Sequence, residues 1–380
     1  MILLFSAIAL VTYSYALYPL FLKCISIGRR YVRTTSRNPT VSIVVPAYNE
    51  EKIIRRKIEN CLALDYPKDL LQVMICSDAS SDRTAAIAAE YAGRGVTVID
   101  YRERTGKTGV LNKSIPLAKG EIVILTDANT MFKSDAIKSL VSLYTSEKVG
   151  AVLGRVDLFN PENARELKNE IRYRDFEATL KHHEGLFGAA LGAFGGMYSI
   201  RKSLYVPLPP NAYSNDDFLT PLRIMQQGHK VLFDREAIST EETGQTVAEE
   251  FGRRIRIGAG NFQSFFMLLS MLNPLLGMPF VLYVSHKVLR WFSPFLLLVI
   301  FAANLMLIHL RPLALLFYAQ CAFYGLAILG AYFAKIHLKF PGISTIYHFV
   351  SMNAALFIGF FHYMRGIRSA VWQSTERTSA

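Results

Sequence analysis

Acidic side chains are missing from both ends of this chain. Residues 1–22 contain no Asp, Glu, Lys or Arg, and between Ile257 and Ala380 the one acid is Glu376. The other 29 of the 30 acids lie in 24–256, beside 33 of the 42 basic residues. Cysteine is scarce as well: Cys24, Cys61, Cys76 and Cys321 show no C-x-x-C spacing, which excludes a disulfide framework and fits a reducing compartment. Charged residues make up only 19% against 51% apolar, which excludes intrinsic disorder. Two phosphate-binding signatures are absent too. No G-x-G-x-x-G follows the first strand-like run, and no G-x-x-x-x-G-K-[ST] occurs anywhere, so neither a dehydrogenase-type site nor a P-loop is expected.

What is present is a charged middle bracketed by apolar blocks. The net charge of +12 hugs those blocks, a pattern suited to anionic lipid headgroups rather than nucleic acid. Four windows are long enough to span a bilayer: Met1–Leu22, Trp291–Leu310, Pro312–Ala334 and Phe340–Met364. The first lacks a basic leader and an A-x-A cleavage site after its apolar run, and reads as a retained anchor over 1–23. Lys23, Arg29, Arg30 and Arg33 follow it, placing the next domain, 40–256, in the cytoplasm by the positive-inside rule. Lys335 and Lys339 fit a cytoplasmic loop between the last two windows. The stretch 257–290 is broken at Gly260-Asn261, Asn273-Pro274, Gly277 and Pro279, and reads as interfacial or re-entrant. Three spans then fill 291–364, and the tail 365–380 carries Arg365, Arg368 and Arg377. One plus three spans leaves that tail outside, against the charge rule. A crossing by 257–290 puts it inside but moves Lys287, Arg290, Lys335 and Lys339 outside, so topology stays open between the two.

Within the middle, short β-rich runs (Val41–Val45, Leu71–Cys76, Val96–Ile99, Glu121–Leu125, Gly150–Val156) alternate with helical stretches such as Glu50–Leu64 and Asp82–Ala92, the latter opened by Ser80-Ser81 as N-cap residues. That alternation predicts an α/β domain with a parallel or mixed sheet. In such sheets ligands bind beyond the carboxyl ends of the strands. The first strand ends in Pro46-Ala47-Tyr48-Asn49-Glu50, the second in Ser77-Asp78-Ala79-Ser80, and the fourth in Thr126-Asp127-Ala128-Asn129. Three polar clusters are thus predicted to converge on one rim.

The ordered set VPAYNE, SDASSDRT, RTGKTGVLN, TDAN, NDDF and RRIRI resembles glycosyltransferase family 2, and the flanking spans extend the resemblance to the membrane-embedded polysaccharide synthase branch. It covers about 40–260 and implies a glycosyltransferase A-type, nucleotide-sugar-binding fold plus transmembrane helices. By that resemblance Ala47, Tyr48 and Glu50 line the nucleotide pocket, Asp78 meets the base, and Lys107 reaches the diphosphate. Asn112 closes the family's K-x-x-x-L-N pattern. Asp127 and Asn129 stand at the D-x-D motif that grips Mg²⁺ or Mn²⁺, with Asn129 in place of the second acid. Asp217 aligns with the catalytic base, and Asp216 replaces the usual Glu beside it; adjacent carboxylates oppose each other's ionisation, which suits a base. Arg253 and Arg256 fall where processive relatives carry Q-x-x-R-W; Arg256 matches the Arg, suited to the departing diphosphate, while Arg253 replaces Gln and Ile257 the Trp. Gly192–Arg201 resembles the acceptor-side strand. His182 and His183, adjacent on a helix, read as surface residues.

The expected activity is an inverting, metal-dependent sugar transfer at the cytoplasmic membrane face. The donor is a nucleotide sugar, UDP-linked in the first instance. The acceptor is a polysaccharide or a polyprenyl-linked glycan, with membrane lipids as neighbours. The alternatives are a processive synthase-translocase and a catalytically dead membrane scaffold. Ile257 leans toward the non-processive reading, and the pair Asp127 and Asp217 argues against the scaffold.

Overall fold

The structure is a computed structural model that describes residues 1–34, 38–159, 168–210, 212, 215–242, 247–336, 338 and 340–366. It divides into two compact units: Leu22–Gln245 with Leu275–Pro279, and Met1–Phe21, Thr246–Pro274 and Phe280–Gly366.

The first helix, α1, runs from Ile2 to Ile25. The larger unit is then built on eight strands: β1 Val41–Ala47, β2 Leu71–Asp78, β3 Val96–Tyr101, β4 Ile122–Leu125, β5 Thr130–Phe132, β6 Val149–Phe159, β7 Tyr198–Arg201 and β8 Lys230–Glu242. Its helices are α2 Ile54–Leu62, α3 Thr84–Ala89, α4 Gly106–Ser114, α5 Ala136–Ser142, α6 Lys168–Gly185 and α7 Asp216–Gln226. The strand order is β3-β2-β1-β4-β7-β6-β8-β5. β1 to β4 are parallel, whereas β7 is antiparallel to both β4 and β6. The α/β expectation holds in its mixed form.

The parallel half is apolar because both faces are covered. Ile43, Val45, Val73, Ile75, Ile122 and Ile124 sit in one core with Ile54, Ile58 and Cys61 of α2. Pairing Leu125 with Tyr198 brings the residues just before β7 to the rim where β1, β2 and β4 end. The topology thereby adds a fourth segment, Gly195–Met197, to the three polar clusters.

Three helix details differ from the sequence-based expectations. α2 begins at Ile54, after a turn over Glu50–Ile53. Ser80 and Ser81 do not cap α3: Asp82 Oδ1 accepts the Thr84 N–H at 2.9 Å, while the two serines bond to Asn49. His182 and His183 are half-buried rather than surface residues. His183 Nδ1 lies 2.7 Å from Ser26 Oγ, and the His182 carbonyl accepts the Tyr31 hydroxyl at 2.9 Å. The segment after α1 covers them, and burial holds His182 down at about 4.

The second unit is helical: α8 Val247–Met267, α9 Met278–Trp291, α10 Ser293–Met306, α11 Arg311–Lys335 and α12 Pro341–Met364. Among the described residues α1, α11 and α12 are each long and apolar enough to cross a membrane. The expected span Trp291–Leu310 is not one helix. α10 has 14 residues and qualifies only jointly with α9, from which it bends by 60°. The expected break at Gly260-Asn261 is also absent, because α8 continues through it. α8 packs against α12 at this point: a Cβ on Gly359 of α12 would stand 2.8 Å from Ala259 N, so the glycine of α12 serves close approach of the two helices. Lys339, Arg368, Glu376 and Arg377 lie outside the described residues.

Candidate active site

The loops after β1 and β2 lock into each other. Asn49, at φ 54°, accepts the Ser81 N–H at 2.8 Å, and the Glu50 N–H donates to Thr84 Oγ1 at 2.8 Å. Ala47 is fully buried in the core and exposes no surface to a ligand. Tyr48 is half-buried, with the Arg104 guanidinium 3.6 Å from its ring centroid.

Asp78, almost fully buried at the end of β2, turns its carboxylate to the start of α4. Oδ1 accepts the Thr105 N–H at 2.7 Å and Oδ2 the Gly106 N–H at 2.8 Å. It therefore caps a helix other than the one following it in sequence. Gly106 stands at φ +74°, a conformation that favours glycine. The capped turn aims Lys107 at the acidic rim, where its Nζ lies 2.8 Å from Asp127 Oδ1 and 3.2 Å from Asp216 Oδ2. Asn112, on the same helix, holds the 205–208 loop by accepting the Tyr205 hydroxyl and the Leu208 N–H.

Asp216 and Asp217 open α7, and the Asn215 carbonyl accepts the first helical N–H groups, those of Phe218 and Leu219. Asp216 is buried and accepts the Tyr198 hydroxyl at 3.1 Å. Asp217 is half-buried, and its carbonyl accepts the Ala193 N–H at 2.9 Å. Across from it stands Asp127. A Cβ added to Gly195 would lie 3.3 Å from Asp127 Oδ2 and 3.4 Å from Asp217 Oδ2, so both oxygens face one small space over a glycine floor.

The electrostatics follow from that crowding. Desolvation first and Asp216 second push the Asp217 carboxyl up to about 7, against the pull of Lys107 and Lys181. For Lys107, desolvation opposes charge, but Asp127, Asp216 and Asp217 outweigh it and raise the ammonium above its ordinary value. One cation thus serves three carboxylates.

Asp127 and Asn129 supply two hard oxygens at the end of β4, and Asn129 Nδ2 reaches Glu241 Oε1 at 3.5 Å. No group of three His, Cys, Asp or Glu poised for a metal occurs among the described residues. Such a donor set fits a divalent cation that takes its remaining ligands from a bound diphosphate. Arg253 and Arg256 lie on α8 in the helical unit, with Arg256 Nε enclosed and lacking a hydrogen-bond partner.

Sequence reasoning missed Lys181, a buried lysine of α6 whose Nζ donates to the Ala193 carbonyl at 3.2 Å and lies 3.8 Å from the Phe194 ring centroid. It also missed Lys57, whereas Tyr198 falls within the Gly192–Arg201 segment without a role of its own. A lysine in a helical run looks like a solvated face, so no sequence signal marked the first two.

A mixed sheet of this order, with Asp127 beyond β4 meeting Asp216 and Asp217 at the start of α7, defines the glycosyltransferase A-type fold. The solved mannosyltransferase of Pyrobaculum calidifontis, in complex with GDP-Man and Mn²⁺, shares it at a TM-score of 0.71 and 23% identity, over 95% of this chain and 99% of that one. Residues 42–205 match the model of glycosyl transferase family 2. Among curated proteins it is similar to a beta-monoglucosyldiacylglycerol synthase of Trichormus variabilis, 40% identical over 32% of this chain and 27% of that one. It is also similar to the poly-beta-1,6-N-acetyl-D-glucosamine synthase of Staphylococcus aureus, 24% identical over 59% and 55% respectively. The matched stretches thus span about a quarter to just over half of these relatives' lengths.

Proposed function

We propose that the chain is an inverting glycosyltransferase that moves one sugar from a nucleotide sugar to a lipid-linked or polysaccharide acceptor at the cytoplasmic face of a membrane. The observation that carries this reading is the pair of carboxylates facing each other over Gly195, one of them held protonated up to about 7. Asp217 accepts the proton of an acceptor hydroxyl as that oxygen bonds to the anomeric carbon from the face opposite the diphosphate. The bond from that carbon to the diphosphate breaks, and the nucleoside diphosphate leaves with the electron pair. Mg²⁺ or Mn²⁺ held by Asp127 and Asn129 would supply positive charge to the leaving oxygens. Lys107 neutralises the same acidic rim through its contacts with Asp127 and Asp216.

Membrane placement is supported by the three apolar helices and by the basic residues from Lys23, in the last turn of α1, to Arg33. Part of that basic run is engaged by the domain itself: Arg33 pairs with Asp234 at 2.7 Å, and Arg29 lies 4.3 Å from the Phe187 ring centroid. The relatives make lipid-linked and polymeric glycans by their names, which supports either acceptor class. The mannosyltransferase relative, solved with GDP-Man and Mn²⁺, adds a GDP-sugar to the UDP-sugar first expected.

Nucleotide release by the detergent-solubilised chain, over UDP-, GDP- and dTDP-sugars with Mg²⁺ or Mn²⁺ and a membrane lipid extract, tests this. Release with one donor, lost with EDTA and in Asp217→Asn, is the expected result. Full activity in Asp217→Asn would remove the base from the reading, and silence with every donor would favour the scaffold.

A further inference from the structure

Lys57 of α2 has no exposed surface, and the reaction proposed above makes no use of it. Its Nζ donates to Thr126 Oγ1 at 3.0 Å and to the Thr130 carbonyl, and stands 4.1 Å from the Phe132 ring centroid. One turn further along α2, Asn60 donates to the Phe132 carbonyl at 2.9 Å and accepts the Phe132 N–H at 2.8 Å. These bonds hold both ends of Thr126–Phe132, the segment that carries Asp127 and Asn129. Thr126 passes the link on, because its hydroxyl lies 2.6 Å from the Gly196 carbonyl it donates to. Gly196 is the neighbour of Gly195, the floor between Asp127 and Asp217. A single buried amine therefore joins α2, the loop after β4 and the turn before β7.

A methionine or isoleucine would fill the same volume without the cost of burying an ammonium. What lysine adds is its donors, and the polar partners described here, Thr126 and Thr130, bracket the loop between β4 and β5. Burial pushes its ammonium below the ordinary lysine range, while Cys61 and Asp127 pull the other way.

We infer that Lys57 is a positioning residue that sets the Asp127–Asn129 oxygen pair for a divalent cation and diphosphate, acting through Thr126 and the Thr130 carbonyl. The inference rests on the function proposed above. The test uses the full chain in detergent, with free Mn²⁺ counted by electron paramagnetic resonance in the presence of UDP or GDP. Wild type that retains no Mn²⁺ with either nucleotide would overturn the proposed function, and the inference with it. Given wild-type binding, Lys57→Met is expected to weaken Mn²⁺ retention by about tenfold or more. Nucleotide release should fall in parallel and recover partly at raised Mn²⁺. Thr126→Val is expected to shift Mn²⁺ affinity in the same direction by less, and the double variant to be no worse than Lys57→Met alone. A Lys57→Met chain that melts earlier yet binds Mn²⁺ within about twofold of wild type would make the lysine merely structural and overturn the inference. Should that variant not fold, Thr126→Val decides, and an unchanged Mn²⁺ affinity in it would overturn the inference equally.

Discussion

The two sides of the candidate site are held together by different physics. On the side of β1 and β2, polar side chains are spent on backbone groups and on one another: Asn49 on Ser81, Thr84 on Glu50, Asp78 on Thr105 and Gly106. On the side of α7, two neighbouring carboxylates share cations with Asp127, and one carboxyl stays protonated up to about 7. Satisfied hydrogen bonds make a stiff cradle, suited to binding. Burial first and crowded like charges second make a titrating group, suited to proton transfer. The difference assigns recognition to one side and chemistry to the other, and it can be broken by substitutions that should separate KM from kcat.

The largest effect is expected on the α7 side. Asp217→Asn should lower kcat by about 10²–10⁴ while leaving nucleotide retention near wild type, as measured by equilibrium binding beside turnover. The pH dependence sharpens the same point. Wild-type turnover should rise with pH through about 7, as Asp217 loses its proton. Stability should run the other way. An unfolded chain releases that proton near the ordinary carboxylate value of about 4, whereas the folded chain keeps it to about 7, so Asp217's contribution falls as pH rises across that window. Thermal midpoints of Asp217→Asn should lose this slope and exceed wild type at pH 8; a slope that persists in the variant would place the titrating group elsewhere.

The next effect lies on the cradle side. Asp78→Ala leaves the Thr105 and Gly106 N–H groups without their acceptor and costs about 1–3 kcal/mol of stability, read by denaturant unfolding. Because the same turn aims Lys107 at Asp127 and Asp216, kcat/KM should fall by about ten- to a hundredfold. If stability drops and kcat/KM does not, the cap is structural alone.

The two halves also differed in how far they could be read from sequence. β1, β2 and β4 are buried on both faces, and appear as largely apolar runs, unbroken in Ile122–Leu125. β8 runs over 13 residues, with exposed positions interspersed from Arg235 to Glu242, and β5 has three residues; neither offers a clean period of two. The rim acids were legible because each follows a strand or starts a helix. Their mutual approach was not, since it depends on β7 running antiparallel and delivering Gly195 between them. Lys57 was hidden among the charges of Ile54–Leu62, where neighbouring Arg55 and Arg56 are exposed and only the fold turns Lys57 inward.

The smallest effect probes the edge of the cradle, where Arg104 lies over Tyr48 at 3.6 Å. That spacing leaves no room for a base between guanidinium and ring, so a nucleobase stacking on Tyr48 must use the other face. The cation then acts as a backing that keeps the ring in place. A cation–π contact at a partly exposed site is worth about 0.5–1 kcal/mol, equivalent to about two- to fivefold in affinity. Arg104→Ala should therefore raise the donor KM by about that factor and leave kcat untouched, because ground state and transition state lose the same contact. Initial rates across donor concentration measure both constants at once. A fall in kcat instead would mean that the cradle reaches into the chemistry, and the division between the two sides would have to be redrawn around Lys107, which already touches both.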